Sequence, residues 1–320
     1  MRYYLLLTLV SGAAFAFASL AAALLTSALW PLINRWSSAL MAGARAHVVA
    51  AARLAPVTVG VMAAIVIAAG FLRFEPEDTA EAPGIVLALG AALALGMCLI
   101  AALRTARELR TSAECSRLLR VGGRTISRSD GTRIWIFDSQ YPVAAVIGVF
   151  RTRLLLSTRV IDECTERELD AIVRHERAHV GRRDNVVRAA MLCLPDPLSI
   201  FGAARAMEDA WAAAAEEAAD DVAGGETSER RTVLAAALVR VARMATTPLP
   251  EWVGGLAFYG GHNLEKRVRR LLDTGSNSAD LGMSGNLTFA AVVITCGLLL
   301  TETSAQYLHA WMEVAVRIVP

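Results

Sequence analysis

Residues Pro83–Leu103 read PGIVLALGAALALGMCLIAAL, an uncharged apolar run stopped by Arg104 and Arg107. A helix of that length rises about 30 Å, the thickness of a bilayer's hydrocarbon core. Working outward, residues 5–33 form a longer run, interrupted by Thr and Ser and ending at Pro31 and Asn34-Arg35. Leu54–Leu72 forms another, flanked by Arg53 and Arg73. A weaker fourth covers Ser284–Thr301 and is closed by Glu302. A secretory signal has a shorter apolar core and more N-terminal positive charge than Arg2 supplies, so the first run is read as a span. The fold class expected is a mainly α integral membrane protein with four transmembrane helices.

The composition agrees. The chain has 320 residues, of which 55% are hydrophobic and 19% charged, with a mean hydropathy of +0.45. Soluble domains carry nearer a quarter charged residues. A net charge of +2 gives no case for nucleic-acid binding, so membrane lipid is the partner that composition points to. Five cysteines (Cys98, Cys115, Cys164, Cys193 and Cys296) never fall in a CxxC spacing, which argues against both a disulfide framework and a cysteine metal site. Cys98 and Cys296 sit in apolar runs and are read as small buried hydrophobes.

The connecting segments orient the spans. Residues 34–53 carry Arg35, Arg45 and Arg53 with no acid, whereas residues 73–82 carry Glu75, Glu77, Asp78 and Glu81 against Arg73. Arginines crowd after the third span, from Arg104 to Arg128, and Lys266, Arg267, Arg269 and Arg270 precede the fourth. The excess of positive charge on cytoplasmic loops then places both termini outside. The expected organisation is a membrane domain over 1–103 (spans 5–33, 54–72 and 83–103) and a cytoplasmic domain over 104–283. A fourth span follows over 284–302, then an extracytoplasmic amphipathic tail over 303–320. The location expected is a bacterial inner membrane.

Within 104–283 the pattern is α+β. Arg133–Phe137 and Val143–Leu156 are rich in β-branched and apolar residues, with turn signals at Ser129-Asp130-Gly131 and Arg151-Thr152-Arg153. Thr165 with Glu168 makes a capping box leading into Leu169, Ile172 and Val173. An Ala-rich helix over 203–223 ends at Gly224-Gly225.

The chemistry is carried by RHERAHVGRRDN at 174–185, in which His175, Glu176 and His179 make HExxH. On a helix, positions four apart share a face, so two imidazoles can grip one zinc ion while the carboxylate between them acts on a water. That carboxylate takes the water's proton during attack on a peptide carbonyl and passes it to the leaving amine. A catalytic zinc needs a third protein ligand. Arg182 and Asn185 stand where a metzincin would need Gly and His, which leaves a Glu on a second helix. EEAADDVA at 216–223 offers Glu216 with Asp220, or Glu217 with Asp221, at the same spacing. Ala219 and Ala223 favour the Glu216 register, in which Asp220 would hold the far nitrogen of a ligating histidine. Asp184 is read as a local partner of Arg182 or Arg183. The strand Val143–Phe150 could pair with an extended substrate.

The order of these elements resembles the BlaR/MecR-type membrane metallopeptidases, β-lactam sensors that cleave a cytoplasmic repressor. The likeness runs through PVAAVIGVFRTRLLLS (Pro142–Ser157), HERAHVGRRDN, the Pro-containing stretch Leu192–Leu198, the ExxADDxA helix and RVRRLL (Arg267–Leu272), to the fourth apolar run. The resemblance implies a gluzincin-like fold with a Zn2+ cofactor. It makes His175, His179 and Glu216 the ligands, Glu176 the base and Asp220 the supporting carboxylate. It further places Arg267 and His262 near the reacting carbonyl. β-Lactam sensors continue into a penicillin-binding-like domain, whereas here the sequence ends at Pro320 with no SxxK motif after the fourth run. The signal is then expected to come from a separate sensor partner, a homo-oligomer or the membrane. The expected function is a zinc metalloendopeptidase acting on a cytoplasmic protein, foremost a transcriptional repressor. The rival readings are a housekeeping membrane protease of the HtpX or CAAX type and a non-catalytic membrane scaffold. The intact Glu176 argues against the scaffold.

Overall fold

The computed structural model describes residues 2–76, 83–127, 132–200, 202–244 and 264–273. The chain is mostly helical, with a small mixed sheet. Among the described residues, three helices are long and apolar enough to cross a membrane: α1 (Arg2–Ser37), α2 (Ala42–Phe74) and the first part of α3 (Ile85–Gly122). The fourth apolar run, the 303–320 tail and His262 lie outside the described residues.

The helices run past their apolar spans. α2 begins at Ala42 rather than near Leu54, because Ala-rich sequence continues the helix through 42–53 and its arginines find partners inside the protein. α3 continues to Gly122. α1 packs against both of its neighbours at close range. A Cβ added at Gly60 would lie 2.8 Å from Ser19, and one at Gly90 would lie 2.7 Å from Ala13, so both helix crossings depend on glycine. Outward-facing Leu25, Leu89, Leu95 and Leu99 are exposed, as lipid contact requires. Cys98 lies with them on the exposed face of α3, contrary to its expected burial: an apolar run has a lipid face as well as a core face.

The sheet orders β1 (Arg124–Ser127), β2 (Arg133–Phe137), β4 (Arg153–Ser157) and β3 (Ala144–Ile147). β2 and β4 are parallel, and the two outer pairs are antiparallel. β3 and β4 form the expected hairpin, with Gly148 at φ 87° just before the turn. β1 has no counterpart in the sequence reading. All four of its residues are exposed, so no apolar alternation marks it. One sheet face (Ile134, Ile136, Leu154 and Leu156) packs on α4 (Thr158–Glu163), α5 (Glu166–Arg182) and α8 (Ser228–Met244), meeting Val160, Ile172, Val173, Ala237 and Val241.

A separate core joins the membrane bundle to the rest. Trp30 of α1 and Ala46, Val49 and Ala50 of α2 meet Met191 of α6 (Asp184–Cys193) and Leu198 of the 3-10 turn Pro197–Ile200. Met207, Trp211 and Ala215 of α7 (Ala203–Gly224) complete it. The last described helix, α9 (Leu264–Leu272), closes over α7 and α8 through Leu271.

Candidate metal centre

α5 starts at the expected capping box, in which the Thr165 side chain accepts from the Glu168 N–H and the Glu168 carboxylate accepts from the Thr165 N–H. The helix ends at Arg183, whose left-handed φ of 57° turns the chain directly into α6. Between these ends, His175 and His179 share the buried face that looks toward α7 and β3. α7 is capped by Gly225, with φ 58°, and Ala223 near that end shares a core with Ala171 of α5.

The two imidazole Nε2 atoms stand 3.2 Å apart. Glu216 reaches both, with Oε2 3.4 Å from His175 Nε2 and Oε1 3.6 Å from His179 Nε2. Behind them, His175 Nδ1 faces Asp220 Oδ1 at 3.1 Å, and His179 Nδ1 meets Asp184 Oδ2 at 2.8 Å. A carboxylate at each Nδ1 fixes the ring and turns the Nε2 lone pair inward. Two nitrogen lone pairs and a carboxylate then converge, with ligand atoms all within 4.8 Å of one another. Glu216 Oε1 is buried and accepts no hydrogen bond. Acceptors packed against acceptors call for a cation, and a His-His-Glu set suits a divalent one. His175 shows the same demand. Burial opposes its charged form, but Asp220 and Glu216 outweigh that and raise its pKa to about 10.

Glu217, the other register, points elsewhere: its carboxylate accepts from Lys266 Nζ at 2.6 Å. Arg267 of α9 is buried and forked onto Asp220, with Nε at 2.7 Å and Nη2 at 2.8 Å. Its Nη1 lies 2.8 Å from Glu216 Oε2. Burial alone would raise both carboxylates. The imidazole and guanidinium around them reverse this, lowering Glu216 below the usual range and Asp220 to about 2. Arg267, read from the resemblance as a group near the reacting carbonyl, thus lines the cavity while its donors engage two site carboxylates.

Glu176 is buried and faces the same cavity. Burial raises its pKa, against the lowering influence of His175 and His179. The cavity, of about 220 Å³, has its walls from Ala144–Val149 of the β3 edge, Leu192 and Cys193 of α6 and Trp211 of α7. Thr105, Glu108 and Leu109, from the extension of α3, complete it.

Two contributors escaped the sequence reading. Asp184 pairs with Arg182 (3.3 Å), as a local reading expects, but its carboxylate also backs His179. Asn185 donates to Val146 O (3.0 Å) and Gly148 O (2.8 Å), fastening the edge strand to the start of α6. The RRDN stretch carried the only signal for either: two polar residues just after a metal-binding pattern.

The family model for the BlaR1 peptidase M56 matches residues 4–271. No curated protein and no solved structure matches the chain. The match covers both the membrane helices and the His-His-Glu cluster, and the chain therefore belongs to the BlaR1 peptidase M56 family of membrane metallopeptidases.

Proposed function

We propose that this chain is a zinc endopeptidase that cleaves a cytoplasmic protein at the inner face of a bacterial membrane. The observation that carries the reading is the convergence of His175, His179 and Glu216 in a cavity that also holds the buried Glu176. In this reading His175, His179 and Glu216 hold the zinc, with Asp220 and Asp184 keeping both rings in their binding tautomer. A zinc ion held there supplies Lewis-acid activation of water and of the scissile carbonyl.

The protein's own groups do the rest. Glu176 takes a proton from the attacking water and returns it to the departing amine. Burial raises its pKa, which favours its holding the proton between the two halves of that task. β3 is the sheet edge and lines the cavity, so an extended substrate segment lies along it. Asn185 already occupies the Val146 and Gly148 carbonyls, which leaves the Ala144 end of the strand for that pairing. Arg267 holds Glu216 and Asp220 apart from solvent and balances their charge.

The orientation rests on the Arg-rich 34–53 segment and the acidic 73–82 segment. In this arrangement residues 284–301 make a fourth span and both termini lie outside. The resemblance to the BlaR/MecR-type sensors supports a repressor as the substrate; a separate sensor partner or a second copy of the chain would deliver the signal.

Glu176→Gln should retain one equivalent of metal and lose peptide cleavage by about 10²-fold or more, since metal holding and proton transfer are separate roles. His175→Ala should lose the metal itself. Metal analysis and hydrolysis of a quenched peptide read these two effects. Undiminished cleavage by the Glu176 variant would overturn the mechanism.

A further inference from the structure

A second cluster of charges lies away from the metal centre, where membrane helix α2 meets α6 and α7. Arg53 is 1% exposed. Its Nη1 donates to Asp196 Oδ2 at 2.5 Å, and its Nε and Nη2 donate to Glu208 Oε1 at 3.1 and 2.7 Å. Nη2 also donates to the Met191 carbonyl at 3.3 Å. Asp196 is equally buried, and its other oxygen accepts from the Leu198 N–H at 2.9 Å. An arginine that merely marks the cytoplasmic side of a span extends its head to the lipid headgroups and water. Arg53 does the opposite, with its guanidinium enclosed and each nitrogen bonded inside the protein.

The partners are what give the cluster meaning. Met191 lies in the last turn of α6, which follows the histidine helix α5 after the single residue Arg183. Glu208 lies on α7, eight residues before Glu216, or about 12 Å along the same helix. One guanidinium therefore contacts α7, which carries Glu216, and α6, which directly follows the helix that carries both histidines. With two carboxylates against one cation, removal of Arg53 would leave the buried Asp196 without its cation, beside the like charge of the partly exposed Glu208.

We infer that Arg53 is a positioning residue that clamps α6 and α7 to membrane helix α2, and so sets the spacing between the His175–His179 pair and Glu216. Movement of α2 is then transmitted to the metal centre through a rigid, hydrogen-bonded joint. The inference rests on the reading of His175, His179 and Glu216 as the ligand set.

The test uses the full chain in phosphatidylglycerol–phosphatidylethanolamine nanodiscs, with Co2+ as a visible probe and a chelator competition to measure Zn2+ affinity. Arg53→Gln and Glu208→Gln should weaken zinc binding by about 10-fold or more, the effect seen when groups outside a ligand set are removed. Both should also change the cobalt absorption spectrum. Arg53→Lys, which keeps the charge but not the fork, should recover part of the affinity. If Arg53→Gln does not fold, the Lys and Glu208 variants carry the decision. Wild-type affinity and spectrum in folded Arg53→Lys and Glu208→Gln would overturn the inference alone. A wild-type cobalt spectrum in the His175→Ala variant would overturn the ligand reading, and this inference with it.

Discussion

Each histidine of the HExxH helix has its own carboxylate behind it, and the two come from different places in the chain. Asp220 stands on α7, four residues from Glu216, and its place beside Glu216 was legible because the spacing puts both on one helix face, as it does Glu217 with Asp221. Asp184 was not, because a residue five positions beyond His179 would point away on a continued helix. The left-handed turn at Arg183 folds it back, and no glycine or asparagine marked that turn. The Asp184 carboxylate meets His179 Nδ1 at 2.8 Å. Asp184→Ala should therefore lower metal affinity by about 10- to 100-fold while Glu176 and the fold stay intact. Chelator competition reads this directly. Affinity equal to wild type would reduce Asp184 to the local Arg182 partner that the sequence suggests.

Helices were more legible than strands, for a physical reason. α5 and α7 carry their own stop and start signals, the Thr165–Glu168 box and the terminal glycines. β1 is held by main-chain pairing to β2 and leaves no apolar trace. Spacing alone leaves two registers on α7; Ala219 and Ala223 favoured Glu216, and the cations of α9 separate it from Glu217. Lys266 takes Glu217, Arg267 takes Glu216 and Asp220, and Arg270 takes Asp221, so the two helices are matched charge by charge. The start of α5 offers a test at this scale. The Glu168 carboxylate accepts from the Thr165 N–H at 2.8 Å and from Arg240 Nε at 2.9 Å. Burial alone would raise its pKa; the Thr165 and Arg240 hydrogen bonds outweigh this and lower it from 4.5. A depressed folded pKa means the stabilisation is present above the unfolded value and is lost as pH falls through the folded one. Glu168→Gln should melt several degrees lower than wild type at neutral pH. The gap should narrow as the pH drops below about 4.5. A gap that stays constant on acidification would separate the capping box from the charge on Glu168.

At the scale of the whole molecule, the metal centre belongs to one end of the membrane bundle. The turn between α1 and α2, Arg53, and the continuation of α3 beyond its apolar span all lie toward that end. The cavity beside the His-His-Glu cluster takes Thr105, Glu108 and Leu109 of its wall from a membrane helix, so the cluster is built onto the bundle rather than tethered to it. In the orientation proposed from the charge pattern this end faces the cytoplasm, with Arg35, Arg45 and Arg53 on its side and Glu75 at the far end of α2. In a cysteine-free background, cysteines at Glu75 and Ser304 should react with a membrane-impermeant thiol reagent in intact cells. Cysteines at Ser38 and at Glu229, on the exposed first turn of α8, should stay unlabelled until the membrane is broken. Labelling of Ser304 alone on the wrong side would remove the fourth span while leaving the active site in the cytoplasm. The fully reversed pattern would put the His-His-Glu cluster outside the cell, where no cytoplasmic repressor could reach it.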